Sequence, residues 1–287
     1  MRVDPYKQKV VLVTGCSTGI GACVAGGLRE RGYRVLATAR NEADLKRLSD
    51  TGLESIQLDL TDSASIREAA DEALERSDGG IYGLFNNAGF GQPGAVEDIS
   101  RRALREQFET NVFGTHELTC RIIPAMRARS KGRIIQNSSI LGLVAMPFRG
   151  AYNASKFALE GLSDTLRQEL RGSGIQVSII EPGPVLSHFR ANALAAFHRH
   201  VDSRNSTHRE TYAALQARLE KKGPTAAFTL PPEAVLKKVI HALEARRPRA
   251  RYPVTVPAHA FSWLRRILPV RWLDGLLTKE MGPPARP

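Results

Sequence analysis

The sequence predicts an α/β protein built on a doubly wound, parallel, seven-stranded sheet. Three observations predict it. Short apolar runs of buried-strand character alternate with longer segments of helical periodicity. The first run, Val10-Val11-Leu12-Val13, leads straight into a glycine turn and a helix. A length of 287 residues suits one such domain with a sizeable core and some appended sequence. In order, the strands are Val10–Thr14, Tyr33–Ala39, Ser55–Leu58, Gly83–Asn86, Arg133–Asn137, Gln176–Ile180 and Arg251–Val256. Helices are expected near Ile20–Arg31, Ala43–Ser49, Ser63–Arg76, Arg101–Arg129 and Ala151–Arg171, with Ser63 and Ser100 as N-caps. Leu186 to Pro232 breaks the alternation, and neither an internal repeat nor a low-complexity tract interrupts the chain.

Composition narrows the function classes. The net charge of +12 and pI near 10.0 raise nucleic acid as a partner. No nucleic-acid-binding motif accompanies the charge, and the basic residues are scattered until the C-terminal quarter, so nucleic acid is not expected. An anionic cofactor and an anionic surface account for it more simply. Cys16, Cys23 and Cys120 show neither metal spacing nor a disulfide framework and read as small buried apolar residues, which suits a reducing, cytoplasmic setting. The charged stretch Met1 to Lys9 does not read as a signal peptide, and no apolar run is long enough to span a bilayer. His188, His198, His200 and His208 lack a carboxylate or cysteine at ligand spacing, so they read as solvated loop histidines and no metal is expected.

Thr14-Gly15-Cys16-Ser17-Thr18-Gly19-Ile20-Gly21 joins the first strand to the first helix. A glycine turn opening on a helix N-terminus presents bare backbone N–H groups and lets a pyrophosphate come close. Its TGxxxGxG spacing differs from the GxGxxG fingerprint. Further on, Tyr152 and Lys156 lie four apart in Tyr-Asn-Ala-Ser-Lys, which places phenol and ammonium side by side on a helix. A neighbouring cation favours phenolate, drawing the tyrosine pKa from about 10 toward neutrality. Such a group can exchange a proton with an alcohol or carbonyl oxygen. Either motif alone has an ordinary structural reading. Together, and with what lies between them, they carry more.

From about Val10 to Val256 the chain resembles the short-chain dehydrogenase/reductase family, in its single-domain branch. The resemblance rests on the TGxxxGxG turn, Asp59 in Leu-Asp-Leu, Asn86-Asn87-Ala88-Gly89, Asn111, Ser138-Ser139, the Tyr152/Lys156 pair and Glu181-Pro182-Gly183, in the family's order. Cys-Ser-Thr-Gly-Ile-Gly, Tyr-Asn-Ala-Ser-Lys-Phe-Ala-Leu-Glu-Gly and Glu-Pro-Gly-Pro-Val are similar to the 17β-hydroxysteroid and retinol dehydrogenase group. Asn-Asn-Ala-Gly-Phe-Gly and Arg-Tyr-Pro-Val-Thr bring it nearer a bacterial NADP-dependent aldehyde reductase type. The resemblance implies a Rossmann-type domain over residues 1–257, with a substrate loop near 186–232, and reversible hydride transfer between nicotinamide and a carbonyl carbon.

It further implies Tyr152 as the proton donor or acceptor, Lys156 as its partner and ribose ligand, and Ser139, thirteen residues before the tyrosine, as hydrogen-bond donor to the substrate oxygen. Asn111 would hold a water that links Lys156 to solvent. For the cofactor, the resemblance places Gly15, Ser17, Thr18, Gly19, Ile20 and Gly21 on the pyrophosphate side. Asp59 and Leu60 fall beside adenine, Asn87, Ala88 and Gly89 along the ribose, and Pro182, Gly183 and Val185 at the nicotinamide. Strand two selects the dinucleotide. An NAD site wants an acid about 20 residues past the glycines. Here Arg40 stands there, nineteen after Gly21, and a guanidinium grips a 2′-phosphate where a carboxylate would repel it. NADP(H) is therefore expected.

Phe90, Leu141, Leu143, Met146, Phe148, Leu186 and Phe189 are candidate substrate lining, suited to an aliphatic aldehyde, a retinoid or a steroid; Arg149 leaves a charged substrate open. A homo-oligomer, dimer or tetramer, is expected. The intact Asn111/Ser139/Tyr152/Lys156 set argues against a non-catalytic NADP(H)-binding regulator, and the chain length and glycine spacing against a dehydratase or epimerase. Residues 258–287 form an amphipathic tail. From Arg246 to Leu273 there are seven arginines and no acid, interleaved farther on with Phe261, Trp263, Leu264, Ile267, Leu268 and Trp272, and Pro269 should interrupt any helix there. Such a tail either packs on its own domain or a second subunit, or lies in a membrane interface.

Overall fold

Val10–Val13 (β1) is buried along its whole length and divides its side chains between two cores: Val11 and Val13 face one, Val10 and Leu12 the other. That period of two is what a strand sandwiched between helical layers requires. A computed structural model, describing residues 9–224 and 226–279, shows six further strands beside it. They are β2 (Arg34–Ala39), β3 (Glu54–Gln57), β4 (Ile81–Asn86), β5 (Gly132–Asn137), β6 (Ile175–Glu181) and β7 (Arg251–Pro253). The sheet order is β3-β2-β1-β4-β5-β6-β7, and all six pairings are parallel. Strand order reverses between β1 and β4, which opens a crevice at the carboxyl ends of the strands.

Helices cover both faces. Val24, Ala25 and Leu28 of α1 (Gly19–Glu30), Leu48 of α2 (Glu42–Asp50) and Val235, Val239 and Leu243 of α9 (Glu233–Glu244) bury into the first core. Ile66, Ala69 and Ala73 of α3 (Ser63–Arg76), and Leu118, Ile122 and Met126 of α5 (Thr115–Ala128), fill the second. Leu166 of α6 (Gly150–Glu169) packs against that same core.

Several boundaries differ from the sequence reading. Asp62, not Ser63, caps α3, accepting from the Ala64 N–H at 2.9 Å, whereas Ser100 caps α4 (Arg101–Phe108) as expected. The single helix expected over Arg101–Arg129 is divided by a π-helical turn, Glu109–Gly114. Leu186–Pro232 is not a loop: it holds α7 (Phe189–His200) and α8 (Arg209–Glu220) around a small core of their own. The last strand stops at Pro253, and α10 (Val256–Ile267) begins where more strand was expected. Pro269 separates α10 from α11 (Val270–Lys279), as predicted, and Leu277 is buried. The final eight residues of the tail lie outside the described residues.

Candidate active site

The glycine turn is shaped by its lack of side chains. Gly15 and Gly19 have φ of +68° and +60°, the left-handed region that glycine adopts without strain. A Cβ on Gly21 would stand 2.0 Å from the Gly15 carbonyl oxygen, so only glycine lets α1 start this close to the turn. No acid occupies the first turn of α1, which leaves its N-terminus positive and open to an anion. Two residues that sequence reasoning treated lightly hold the turn. The Thr14 hydroxyl accepts from the Asn87 and Ala88 N–H groups at 2.9 and 3.0 Å, and the Asn87 amide donates to the Thr14 and Gly15 carbonyls at 3.0 and 3.1 Å. The amide nitrogen expected on a ribose is thus engaged in stitching β1 to β4.

Arg40 is exposed just past β2, and among the described residues no carboxylate pairs with it. Arg47, which the sequence did not single out, reaches the same edge and donates to the Ser17 carbonyl at 3.4 Å while pairing with Asp44. One oxygen of Asp59 is taken by Thr61, from both its N–H and its hydroxyl, at 2.9 and 2.8 Å. Leu60 is buried against the π-helical turn, its carbonyl 2.0 Å from where a Cβ on Gly114 would lie.

Asn111, Ser139, Tyr152 and Lys156 are all buried and come together beyond the carboxyl ends of β4 and β5. Tyr152 and Lys156 occupy the first turns of α6, and the Lys156 ammonium lies 5.7 Å from the Tyr152 ring centre. That ammonium donates to the Asn137 carbonyl at 2.7 Å, and the Asn137 amide donates to Asn87 at 2.9 Å, which ties the lysine to the glycine turn. Asn137 is a residue the sequence reading missed. Asn111 lies in the π-helical turn, a device that re-aims residues at functional sites. Its amide bonds both backbone groups of Phe90 and the Ser155 hydroxyl at 3.1 Å. Gly89 lies between Asn111 and Lys156, close enough that an added Cβ would touch both. The Ser139 hydroxyl accepts from the Leu141 N–H at 3.1 Å and reaches the Pro182 carbonyl at 3.5 Å.

Protonation departs from expectation. Burial pushes the Tyr152 phenol up to about 12, against the opposing pull of Ser139 and Arg149. Burial likewise brings Lys156 down to about 8, with Glu160 pulling the other way. The sequence argument had the lysine drawing the phenol toward neutrality. Instead the lowering influences on the phenol come from Ser139 and Arg149 rather than from Lys156, and desolvation outweighs them, because a dry site disfavours the charged form of each group.

A model of the short chain dehydrogenase family matches residues 9–196. The chain belongs to the short-chain dehydrogenase/reductase family. It is 45% identical over 270 residues to the uncharacterized oxidoreductase YbbO of Escherichia coli (strain K12), covering 94% of each chain. It is 33% identical to retinol dehydrogenase 16 of Mus musculus, covering 96% of this chain and 89% of that one. Among solved structures, a short chain dehydrogenase/reductase from Burkholderia phymatum in complex with NAD superposes with a TM-score of 0.74 at 26% identity, covering 97% of both chains. The protein is thus an NAD(P)-binding oxidoreductase of a family acting on CH–OH and carbonyl groups.

The residues of this dehydrogenase/reductase fit a dinucleotide: a turn that tolerates no Cβ, a helix whose first turn carries no acid, and at the edge of strand two an arginine that pairs with no carboxylate among the described residues. Of the residues expected near a nicotinamide, Gly183 is packed so closely that an added Cβ would lie 2.1 Å from the Thr255 hydroxyl. Val185 bridges to Leu230, so the following segment is tied down on both strands of that bridge. Phe189 packs on the Tyr152 ring at 5.2 Å and over Gly91. Leu141 and Leu143 are buried, Met146 and Phe90 partly so, and Leu186 is exposed. Phe148 departs from the expected lining: at φ +56° its ring packs on Tyr212 and His208, within the α7–α8 core.

The histidines also differ from expectation. His188 and His208 stand at the starts of α7 and α8, and His198 and His200 lie within α7. His200 is bonded to Glu106 at 2.8 Å and His208 to Glu97. Of the cysteines, Cys16 is buried, Cys23 partly so, and Cys120 is exposed, which corrects the buried reading for Cys120. Among the described residues no helix is long and apolar enough to cross a membrane.

Proposed function

We propose that the protein is an NADPH-dependent carbonyl reductase that takes an apolar aldehyde or ketone, of aliphatic, retinoid or steroid kind, to its alcohol and back. The observation that carries the reading is the joint burial of Asn111, Ser139, Tyr152 and Lys156 beside the glycine turn. The bound nicotinamide supplies or takes the hydride. Tyr152, protonated at working pH because burial raises it, gives its proton to the substrate oxygen in reduction. Ser139 donates to the same oxygen as negative charge develops there, in a setting dry enough to make that bond count. Lys156, held by Asn137, hydrogen-bonds the ribose and supplies a cation beside the phenol. Arg40, with Arg47 close by on the same edge, grips the 2′-phosphate.

The same reading extends outward. Leu104, Phe113 and Leu162 expose apolar surface on α4 to α6 that suits a second copy of the chain. Trp263, Ile267, Val270, Trp272 and Leu276 of the tail are exposed alongside Arg265, Arg266 and Arg271. Leu268, Trp272, Gly275 and Leu276 line an apolar groove of about 330 Å³. Two copies meeting through this face would bring like charges together, whereas anionic lipid would neutralise them. A cytoplasmic enzyme in reversible contact with a membrane is the reading this favours.

The test is NADPH oxidation measured across aldehydes, ketones, retinals and steroids, with Tyr152→Phe as comparison. The variant should lose on the order of 10²–10⁴ in kcat while still binding NADPH. Residual kcat within about tenfold of the parent would overturn the proton-donor role.

A further inference from the structure

Gly142 ends the short 3₁₀ turn Ile140–Gly142, which directly follows Ser139. A Cβ there would stand 2.7 Å from the Ser138 Oγ, 2.8 Å from the Glu160 Cγ and 3.1 Å from the Glu160 Oε1. The bare glycine lets α6 close on the turn, and a hydroxyl and a carboxyl oxygen meet across the space it leaves. Ser138 and Glu160 are both buried, at 4% and 5% exposure. Neither the Ser138 Oγ nor the Glu160 Oε1 has a hydrogen-bond partner within ordinary limits among the described residues. The other Glu160 oxygen is engaged separately, by Arg251. Burial and then Glu181 raise the Glu160 carboxyl to about 7, and the Ser138 hydroxyl is near enough to pull it the other way.

These two oxygens stand between the two halves of the site. Ser138 lies between Asn137, whose carbonyl takes the Lys156 ammonium at 2.7 Å, and Ser139. Its N–H donates to the Ile180 carbonyl at 2.8 Å, and the Ile140 N–H to the Pro182 carbonyl at 2.8 Å, so β6 and the segment after it hold the backbone here on one side. On the other side stands α6, where Glu160 shares a face with Lys156, four residues before it, and with Tyr152, eight before it. The charged groups around Glu160 are Lys156 and Asp164 on α6, Glu181 on β6 and Arg251 on β7, with Arg266 of α10 acting on Glu181. A buried hydroxyl and a buried carboxylate oxygen are each costly when unmet, and one O–H···O⁻ bond between them removes both costs.

We propose that Glu160 is a positioning residue of this site: it accepts a hydrogen bond from the Ser138 hydroxyl and so fixes the Ser139 turn against the helix that carries Tyr152 and Lys156. The inference rests on the carbonyl reductase reading. Ser139 serves the substrate oxygen most in the transition state, so a turn that drifts from α6 lowers kcat and leaves KM and NADPH affinity nearly as they were. The ionised carboxylate is the stronger acceptor, so the support weakens as pH falls through the Glu160 titration at about 7.

The experiment is a double-mutant cycle on the full chain with NADPH and octanal, or the carbonyl compound the parent reduces fastest. It uses Ser138→Ala, Glu160→Met and both together. Glu160→Met leaves Arg251 paired with Glu181 and Asp164, and thermal melts establish folding. Each single change should lower kcat about tenfold to a hundredfold with KM nearly unchanged, and the double variant should fall within about twofold of Glu160→Met alone. Glu160→Gln, which keeps the volume and a neutral acceptor, should recover part of kcat and lose the parent's decline in kcat below about pH 7. Losses that multiply in the double variant, or a Ser138→Ala enzyme with the parent's kcat, would overturn the inference and leave the reductase reading standing. So would an acid limb that Glu160→Gln leaves unchanged. The same cycle read by urea denaturation at about pH 8, where Glu160 is ionised, needs no turnover. Coupling of Ser138 and Glu160 there, in a parent that reduces no carbonyl compound, would sink the reductase reading and the positioning role with it, leaving only the contact.

Discussion

Replacing Arg251 with methionine should cost the fold several kcal/mol, and should cost more at pH 8 than at pH 5.5. Arg251, on the edge strand β7, pairs with Glu181 at 2.6 Å, with Asp164 at 2.5 Å and with Glu160. Glu160 and Glu181 are buried, and Asp164 has a second partner in Arg167 at 2.8 Å. Methionine keeps an apolar stem for packing and removes only the charge. Removing one member of a buried ion cluster typically costs about 3–5 kcal/mol, because the remaining charges are stranded.

The pH dependence follows from Glu160. Burial and the neighbouring Glu181 raise its carboxyl to about 7, against the pull of Arg251. A carboxyl raised in the folded state binds its proton more tightly there than in the unfolded chain, so its contribution to stability declines as pH rises from about 4.5 to about 7. Without Arg251 both buried glutamates rise further, and the folded variant takes up protons that the folded parent does not. The loss should therefore be about 3–5 kcal/mol at pH 8 and roughly half that at pH 5.5. Urea denaturation followed by circular dichroism at both pH values measures it. A loss below about 1 kcal/mol, or one equal at both pH values, would show that solvent screens the cluster and would refute the argument. Activity should suffer as well, since the Glu181 carbonyl accepts from the Val254 N–H at 3.2 Å just before the Pro182–Gly183 turn.

Three more perturbations probe other parts of the molecule. Arg40→Ala should raise KM for NADPH about tenfold to a hundredfold more than KM for NADH, and an unchanged ratio would place the 2′-phosphate elsewhere. Gly21→Ala should abolish dinucleotide binding in a titration, because its Cβ would meet the Gly15 carbonyl at 2.0 Å, whereas Gly26→Ala, facing open space on the same helix, should bind normally and gain about 0.5–1 kcal/mol. Trp263→Ala/Trp272→Ala should reduce co-sedimentation with anionic vesicles, and the parent should bind less at high salt; a parent that stays in the supernatant makes the tail a packing element.

The sheet was legible because parallel strands buried on both faces write themselves as apolar runs, as Val10–Val13 and Ile134–Ile135 do. The glycine turn and the Tyr152/Lys156 pair were legible because both depend on local spacing. What escaped depends on distant partners. Helices α7 and α8 carry alanine-rich faces with weak periodicity, and only Ala95, Ile99 and Phe148, brought in from elsewhere, complete their core. Asn137 reads as the last residue of a strand until Lys156 is seen to donate to its carbonyl. Arg251 sits in a stretch that reads as acid-free, while its acids come from α6 and β6. The π-helical turn at Asn111 left no sign in a segment whose propensities favour one continuous helix.

The site and the Arg251 cluster are two ends of one arrangement. Glu160 is four residues from Lys156 on α6, and its charge is the one that holds the lysine up against burial. Lys156 has a folded pKa of about 8, below its ordinary value, so the cost of keeping it protonated is complete below about pH 8 and disappears as pH rises toward 10.5. At neutral pH the folded chain therefore carries a desolvated ammonium beside a phenol that burial keeps protonated. That is an unfavourable combination for stability and a suitable one for giving a proton to a carbonyl oxygen. The Asn137 carbonyl and Glu160 offset part of the cost on the lysine's side, and Arg251 in turn holds Glu160 ionised enough to do so. The edge strand β7 thus bears on the charge state of α6, the helix that carries Tyr152 and Lys156, through Glu160 and Glu181.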